Sequence, residues 1–276
     1  MAIGTVYLIP TFLHEDGLNT IPNYIIDAVK NCTVFFVETE KTTRRYLKKL
    51  WPQMVIDDYQ WYVIHKAEKD VVSNFKNLLQ QGKNIAIISD AGCPAIADPG
   101  EILVAAAQQL NATVKPLVGP NSIILALMAS GMNGNCFQFH GYLPIDSLGR
   151  KNKIKALELD SQKRKCTQIF IETPYRNNQL IKYITDYCLP ETKFCIAVDI
   201  TGTSESIQTK TIAEWKKKEI DFHNQKFGKW EQIKKFELTP EVWSIEGGHL
   251  TPTMKMKRSI IFELYKHLSK KIYLED

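Results

Sequence analysis

Short runs of β-branched and aliphatic residues alternate with helix-patterned segments along most of this chain, and that alternation limits its fold more than any other feature. Residues 6–9, 33–37, 61–64, 84–88, 113–117, 136–140, 167–172 and 194–199 read as strands. Residues 22–30, 43–50, 71–81, 101–110, 122–130, 151–159 and 179–187 read as helices between them. Strands and helices in this order predict an α/β architecture. Thr42 is the expected cap of the helix at 43–50, and Gly82 stands where a helix-ending glycine belongs. Gly119-Pro120 breaks the pattern and is the expected hinge between two α/β halves. With 276 residues the chain is long enough for one large or two modest domains.

Composition narrows the function classes. No apolar run approaches the roughly 20 residues that span a bilayer, and the first ten residues lack a signal-peptide pattern, so a cytoplasmic location is expected. The six cysteines form no Cys-x-x-Cys pair and have no histidine at ligand spacing, so neither a disulfide framework nor a metal site is expected. Cys32, Cys136, Cys166 and Cys195 lie in apolar runs and are expected to be buried thiols. The net charge of +5 permits a polyanionic partner without requiring one. Three basic groups could track a nucleic-acid backbone: Arg44, Arg45, Lys48 and Lys49; Arg150, Lys151, Lys153 and Lys155; and Lys163, Arg164 and Lys165. Each is equally the pattern of a solvated helix face or loop.

The segment that carries chemistry runs from Ile85 to Gly100. An apolar strand ends at Ser89-Asp90, a turn of small residues holds Gly92 and Pro94, and Asp98-Pro99-Gly100 has the form of a helix start with Asp98 as its cap. Ligands in open α/β sheets sit beyond the carboxyl ends of strands, and a small-residue loop there lets the backbone approach them. Asp90 could accept hydrogen bonds from an amino group or a ribose hydroxyl. The segment is neither a Walker loop nor Gly-x-Gly-x-x-Gly. A purely structural corner would have the same spacing.

Ser89-Asp90-Ala91-Gly92-Cys93-Pro94, followed by Ala97-Asp98-Pro99-Gly100, resembles the hallmark loop of the tetrapyrrole methylase superfamily, in the branch of the ribosomal small-subunit RNA 2′-O-methyltransferases. Further pieces match in order: residues 4–11, Val37-Glu38-Thr39-Glu40 with Thr43, residues 116–122, residues 139–144, and Glu172-Thr173-Pro174-Tyr175-Arg176 as a Glu-x-Pro-x-Arg element. The resemblance spans residues 3–223. Phe12-Leu13-His14 departs from it where a Pro-Ile-Gly run is usual, and Lys41 stands in place of an arginine. The resemblance implies two α/β domains, 1–118 and 119–223, with S-adenosyl-L-methionine in a cleft between them, and a homodimer. It places Pro10, Thr11, Asp90, Ala91, Gly92, Pro94, Ile96, Ser122, Thr173 and Pro174 at the cofactor. Glu38 and Glu172 are the candidates for a base or an orienting group, or else for structural ion pairs with Arg44 or Arg176. Arg176 is a candidate clamp for a substrate phosphate.

Residues 224–276 differ in composition and are expected to form a small α+β tail ending in an amphipathic helix over 256–273. Residues 226–273 resemble the C-terminal end of long-chain acyl-CoA synthetases, a likeness that would set Lys255 at an acyl-adenylate. The methylase resemblance implies one more strand after the Trp215 helix, for which residues 233–238 are the candidate. The leading expectation is methylation of ribosomal RNA ribose. A tetrapyrrole or other small-molecule methylase, a cofactor-binding module without catalysis, and an acyl-adenylate-handling fusion are the alternatives.

Overall fold

A computed structural model describes residues 2–65, 68–224, 239, 243–250 and 256–273. The chain divides into two compact units, one of residues 1–130 with 197–207 and one of residues 131–196 with 208–276. The break at 130/131 falls one helix past the Gly119-Pro120 turn, and the segment 197–207 returns to the first unit.

The first unit is a five-stranded, all-parallel sheet. Its strands are β1 (Thr5–Leu8), β2 (Val34–Val37), β3 (Gln60–Val63), β4 (Ile85–Ile88) and β5 (Thr113–Pro116), ordered β3-β2-β4-β1-β5. Every residue of β2 and β4 is buried, which is why both read as unbroken apolar runs. The edge strands β3 and β5 are more exposed and more polar. Helices α1 (Ile25–Lys30) and α2 (Glu40–Leu50) cover one face, where Ile25, Val29, Tyr46 and Leu47 pack on Tyr7, Phe35, Val37 and Ile88. Helices α3 (Glu68–Gln80) and α4 (Glu101–Gln109) cover the other, where Phe75, Leu79, Leu103 and Ala107 pack on Val6, Phe36, Ile85 and Ile87. Alternate strand residues therefore feed opposite cores, as a period of two requires. A fifth helix, α5 (Ser122–Ser130), closes the continuous part of the unit.

In the second unit, β6 (Phe137–Tyr142) pairs in parallel with β7 (Thr167–Ile171) through the crossover helix α6 (Ser147–Arg164). Helix α7 (Asn177–Tyr187) packs Leu180 and Ile184 on Ile154 and Leu157 of α6. Strands β8 (Lys193–Val198) and β9 (Ser206–Thr211) form a pair, followed by α8 (Ile212–Asn224). The amphipathic segment at the end is two helices, α9 (Arg258–Leu264) and α10 (Lys266–Tyr273), meeting at Tyr265, rather than one. Buried His249 and Tyr265 pair through Nε2 and the phenol oxygen at 3.1 Å. The candidate strand 233–238 and Lys255 lie outside the described residues.

Several local expectations change. Helix α2 starts at Glu40 behind Thr39, so Thr42 lies inside it rather than capping it. Helix α4 starts at Glu101 behind Gly100, whose φ of 128° only glycine takes readily, so Asp98 is not its cap and Pro99 is not its first residue. Cys32 and Cys166 are buried, but Cys136 and Cys195 are only partly so. Arg150, grouped above with solvent-facing cations, is one of the most buried side chains, at 1% exposure. It donates to the carbonyls of Pro144 and Ile145 and to Gln179 Oε1, and its guanidinium lies 5.4 Å from the Tyr183 ring centroid. It is a core hub, not a nucleic-acid contact. The Arg44 group is engaged too: Arg44 pairs with Glu40, Arg45 with Glu15, and Lys48 donates to the carbonyls of Pro52 and Met54.

Candidate functional site

Strand β4, like β2, lies between strands whose next helices take the opposite face of the sheet. Its neighbours β2 and β1 both send their next helix, α2 or α1, to one face of the sheet, whereas β4 sends α4 to the other. Chains diverging from adjacent strand ends open a crevice, so the carboxyl end of β4 borders one on either side. The loop Ser89–Gly100 begins there.

Backbone and side-chain hydrogen bonds tie this loop to the ends of β1 and β2. Thr11 donates its N–H to the Gly92 carbonyl at 2.8 Å and its hydroxyl to the Ser89 carbonyl at 3.3 Å. Asp90 donates its N–H to Glu38 Oε2 at 2.9 Å, and Glu38 donates its own N–H to the Ile88 carbonyl at 3.0 Å. The Tyr46 phenol reaches from α2 to the Pro10 carbonyl at 2.7 Å. Pro10, Thr11, Glu38, Asp90 and Gly92 are thus brought together. Ala91 and Ile96 are exposed on the same loop, and Pro94 is buried in it. Ser122 opens α5, whose first amides are capped by Asn121 Oδ1, which accepts from the N–H groups of Ile123 and Ile124.

The loop is tightly built. Gly92 has φ of 70°, and a Cβ there would come within 3.1 Å of the Leu13 side chain and 3.4 Å of the Pro120 carbonyl oxygen. A Cβ on Gly119 would lie 2.1 Å from Pro10 Cβ, so the chain after β5 runs directly against the chain after β1. Ala95 and Ala97 hold φ of 65° and 63°. Left-handed backbone costs an alanine about 1–2 kcal/mol, and it persists only where the surroundings fix it.

Carboxylates dominate the electrostatics. Asp98 is half-buried, and its pKa is raised from 3.8 to about 6 by loss of water, then by the charges of Glu38 and Asp90, with a hydrogen bond from Ser89 opposing. Glu38 Oε1 lies 3.6 Å from His65 Nδ1. Asp90 Oδ1 is buried with no hydrogen-bond partner among the described residues. An unpaired buried acceptor is costly, and it suits a ligand bearing N–H or O–H donors. Sequence reasoning missed His65, and it saw in Asp98 a cap instead of an ionisable wall residue, because neither role has a spacing signature.

Asp98 yields a pH prediction. The folded chain holds a proton on this carboxyl up to about pH 6, whereas the unfolded chain loses it near 3.8. Folding therefore takes up a proton between those values, and this contribution to stability falls as pH rises through that window and is gone above it. Asp98→Asn is expected to remove that part of the pH dependence and to raise Tm at neutral pH. Melting curves taken across the window check it; an unchanged slope would show that another group is responsible.

The second unit holds the remaining candidates. Glu172 directly follows β7, with a side chain only 4% exposed. Its Oε1 accepts from Arg176 Nη2 at 2.6 Å and from the Thr173 N–H at 2.8 Å. The ion pair expected for Glu172 is present. The one considered for Glu38 with Arg44 is replaced by Arg44–Glu40.

The model of the Tetrapyrrole (Corrin/Porphyrin) Methylases family matches residues 24–216. The chain belongs to this family. Its curated relatives include proteins named Ribosomal RNA small subunit methyltransferase I. That of Vibrio cholerae is 32% identical over 76% of this chain and 69% of its own length. That of Bacillus subtilis is 28% identical over 77% and 69%. The alignment with the Pseudomonas aeruginosa relative is 35% identical but covers only 53% of this chain and 51% of that one. Among solved structures, the methyltransferase CobJ superposes with a TM-score of 0.53 at 14% identity, covering 78% of this chain and 88% of that chain. The cobalt precorrin-4 methyltransferase CbiF gives 0.50 at 12%, over 79% and 90%. These two structures show the α/β fold. The family match ends at residue 216, before the C-terminal segment 224–276, and nothing in these comparisons supports the acyl-CoA synthetase likeness expected for that segment.

Proposed function

We propose that this chain transfers a methyl group from S-adenosyl-L-methionine to ribosomal RNA. The observation that carries the proposal is the small-residue corner at the end of β4, placed at a switch in helix direction and inside the segment that the family model matches. The corner fits the cofactor: Asp90 Oδ1 is an unclaimed acceptor, Gly92 leaves no bulk at the turn, and the Glu38, Asp90 and Asp98 carboxylates favour a cationic ligand. When bound, S-adenosylmethionine supplies an electrophilic methyl group on a positively charged sulfur.

The chain's own residues bind and align, which is most of what an in-line displacement needs. Pro10, Thr11, Asp90, Ala91, Gly92, Pro94, Ile96 and Ser122 hold the donor in this reading. Glu38 fixes the Asp90 amide and so the corner's shape. Glu172 orients Arg176, which presents its charge to the RNA. A homodimeric cytoplasmic enzyme without a metal completes the proposal. Among the described residues no helix is long and apolar enough to cross a membrane.

Calorimetry with S-adenosylmethionine is the direct test. Binding is expected in the wild type and a drop of about tenfold or more in Asp90→Ala, since charge-assisted hydrogen bonds contribute roughly 1.5–3 kcal/mol. Labelled methyl groups should then enter small-subunit rRNA. Well-folded protein that ignores the cofactor overturns the proposal, and cofactor binding without transfer to RNA overturns the substrate.

A further inference from the structure

The aromatic surface around Arg176 goes beyond the ion pair. The Arg176 guanidinium is held by Glu172 Oε1 and by Thr173 Oγ1, which accepts from Nε at 3.0 Å. Its carbon lies 5.9 Å from the Tyr142 ring centroid and 5.7 Å from that of Tyr175. The Arg176 side chain is largely covered, at 15% exposure, while Tyr175 is 84% exposed and Tyr142 55%. Two tyrosines are thus turned to solvent beside a cation whose plane is already fixed. An exposed tyrosine ring costs little to immobilise, and base stacking on such rings tolerates any sequence because every base has a π-face. A guanidinium next to them adds attraction for phosphate.

The geometry points to a stacking platform for an unpaired RNA nucleotide, built from Tyr142, Tyr175 and Arg176. Paired bases present only their edges and cannot lie on a ring, so the platform selects single-stranded or looped RNA over duplex. Glu172 and Thr173 are positioning residues that keep the guanidinium in place. This inference rests on the RNA reading above and refines it, from ribosomal RNA in general to an unpaired nucleotide.

The test uses the full chain and a fluorescently labelled single-stranded RNA of mixed sequence, alone or annealed to its complement, read by anisotropy at fixed salt. Wild type is expected to prefer the single strand. Tyr175→Ala and Tyr142→Ala should each weaken the single strand about tenfold, the size of one lost base stack, leaving duplex affinity and S-adenosylmethionine calorimetry unchanged. Tyr175→Phe should retain wild-type affinity because the ring, not the hydroxyl, does the stacking. Equal losses for single strand and duplex, or an alanine variant that binds the single strand like wild type, overturn the platform. If wild type methylates ribosomal RNA and Tyr175→Ala does so equally well, the platform alone fails. If wild type binds S-adenosylmethionine but neither RNA form and methylates no RNA, the RNA reading fails with it.

Discussion

Arg150→Ala is expected to destabilise the second unit by about 4 kcal/mol, the range of core truncations that also strand polar groups. Two losses add. The side chain fills the space among Pro144, Ile145, Gln179 and Tyr183, so alanine leaves a cavity. The two carbonyls and the Gln179 amide oxygen also lose their donors, and buried acceptors without donors are penalised. Arg150→Lys should recover only part of the loss, because an ammonium cannot reproduce a planar fork reaching three acceptors. Urea unfolding measures both variants. A loss under about 1 kcal/mol for alanine, the size of an ordinary surface substitution, would show that Arg150 is a spectator.

Gly119→Ala is expected to damage the corner proposed to hold the methyl donor. The added Cβ would sit 2.1 Å from Pro10 Cβ and 2.4 Å from Pro10 Cγ, far inside contact distance, so the chain after β5 must pull away from the chain after β1. Overpacking of this kind costs about 1–3 kcal/mol. The displacement reaches Thr11, whose N–H and hydroxyl hold the Gly92 and Ser89 carbonyls. S-adenosylmethionine affinity should therefore fall by about tenfold or more, as misalignment in a preorganised site does. Gly134→Ala is the control, since nothing lies within 4 Å of its Cβ and its φ is not left-handed. Calorimetry and thermal melts separate the two; equal behaviour of both variants would remove Gly119 from the corner.

The sequence discloses the strands and helices of the first unit because its parallel strands are buried on both faces and must be written as unbroken apolar runs, like Val34–Val37 and Ile85–Ile88. Strand β9, Ser206–Thr211, escaped notice because it is polar and partly exposed, with no apolar run to announce it. The helix start behind Gly100 was hidden because Asp-Pro is the stronger local signal, whereas the turn is set by packing of Gly100 against Ile87 and Ala95. Arg150 was misjudged for a related reason: among neighbouring lysines its charge suggested solvent, and only the fold brings carbonyls from the β6–α6 connection around it. At the candidate site the small-residue corner was legible. The meeting of Glu38 with the Asp90 amide spans 52 residues and needs the sheet order to exist.

Strand β4 sits in the middle of the sheet, with hydrogen-bonded neighbours on both sides and helices over both faces. Its amides should exchange with solvent only when the unit opens globally, while the loop it launches keeps alanines in uncomfortable backbone angles. The most permanent strand thus anchors the most contorted turn. Variation at the outer strands β3 and β5 can therefore accumulate in a lineage without loosening that anchor.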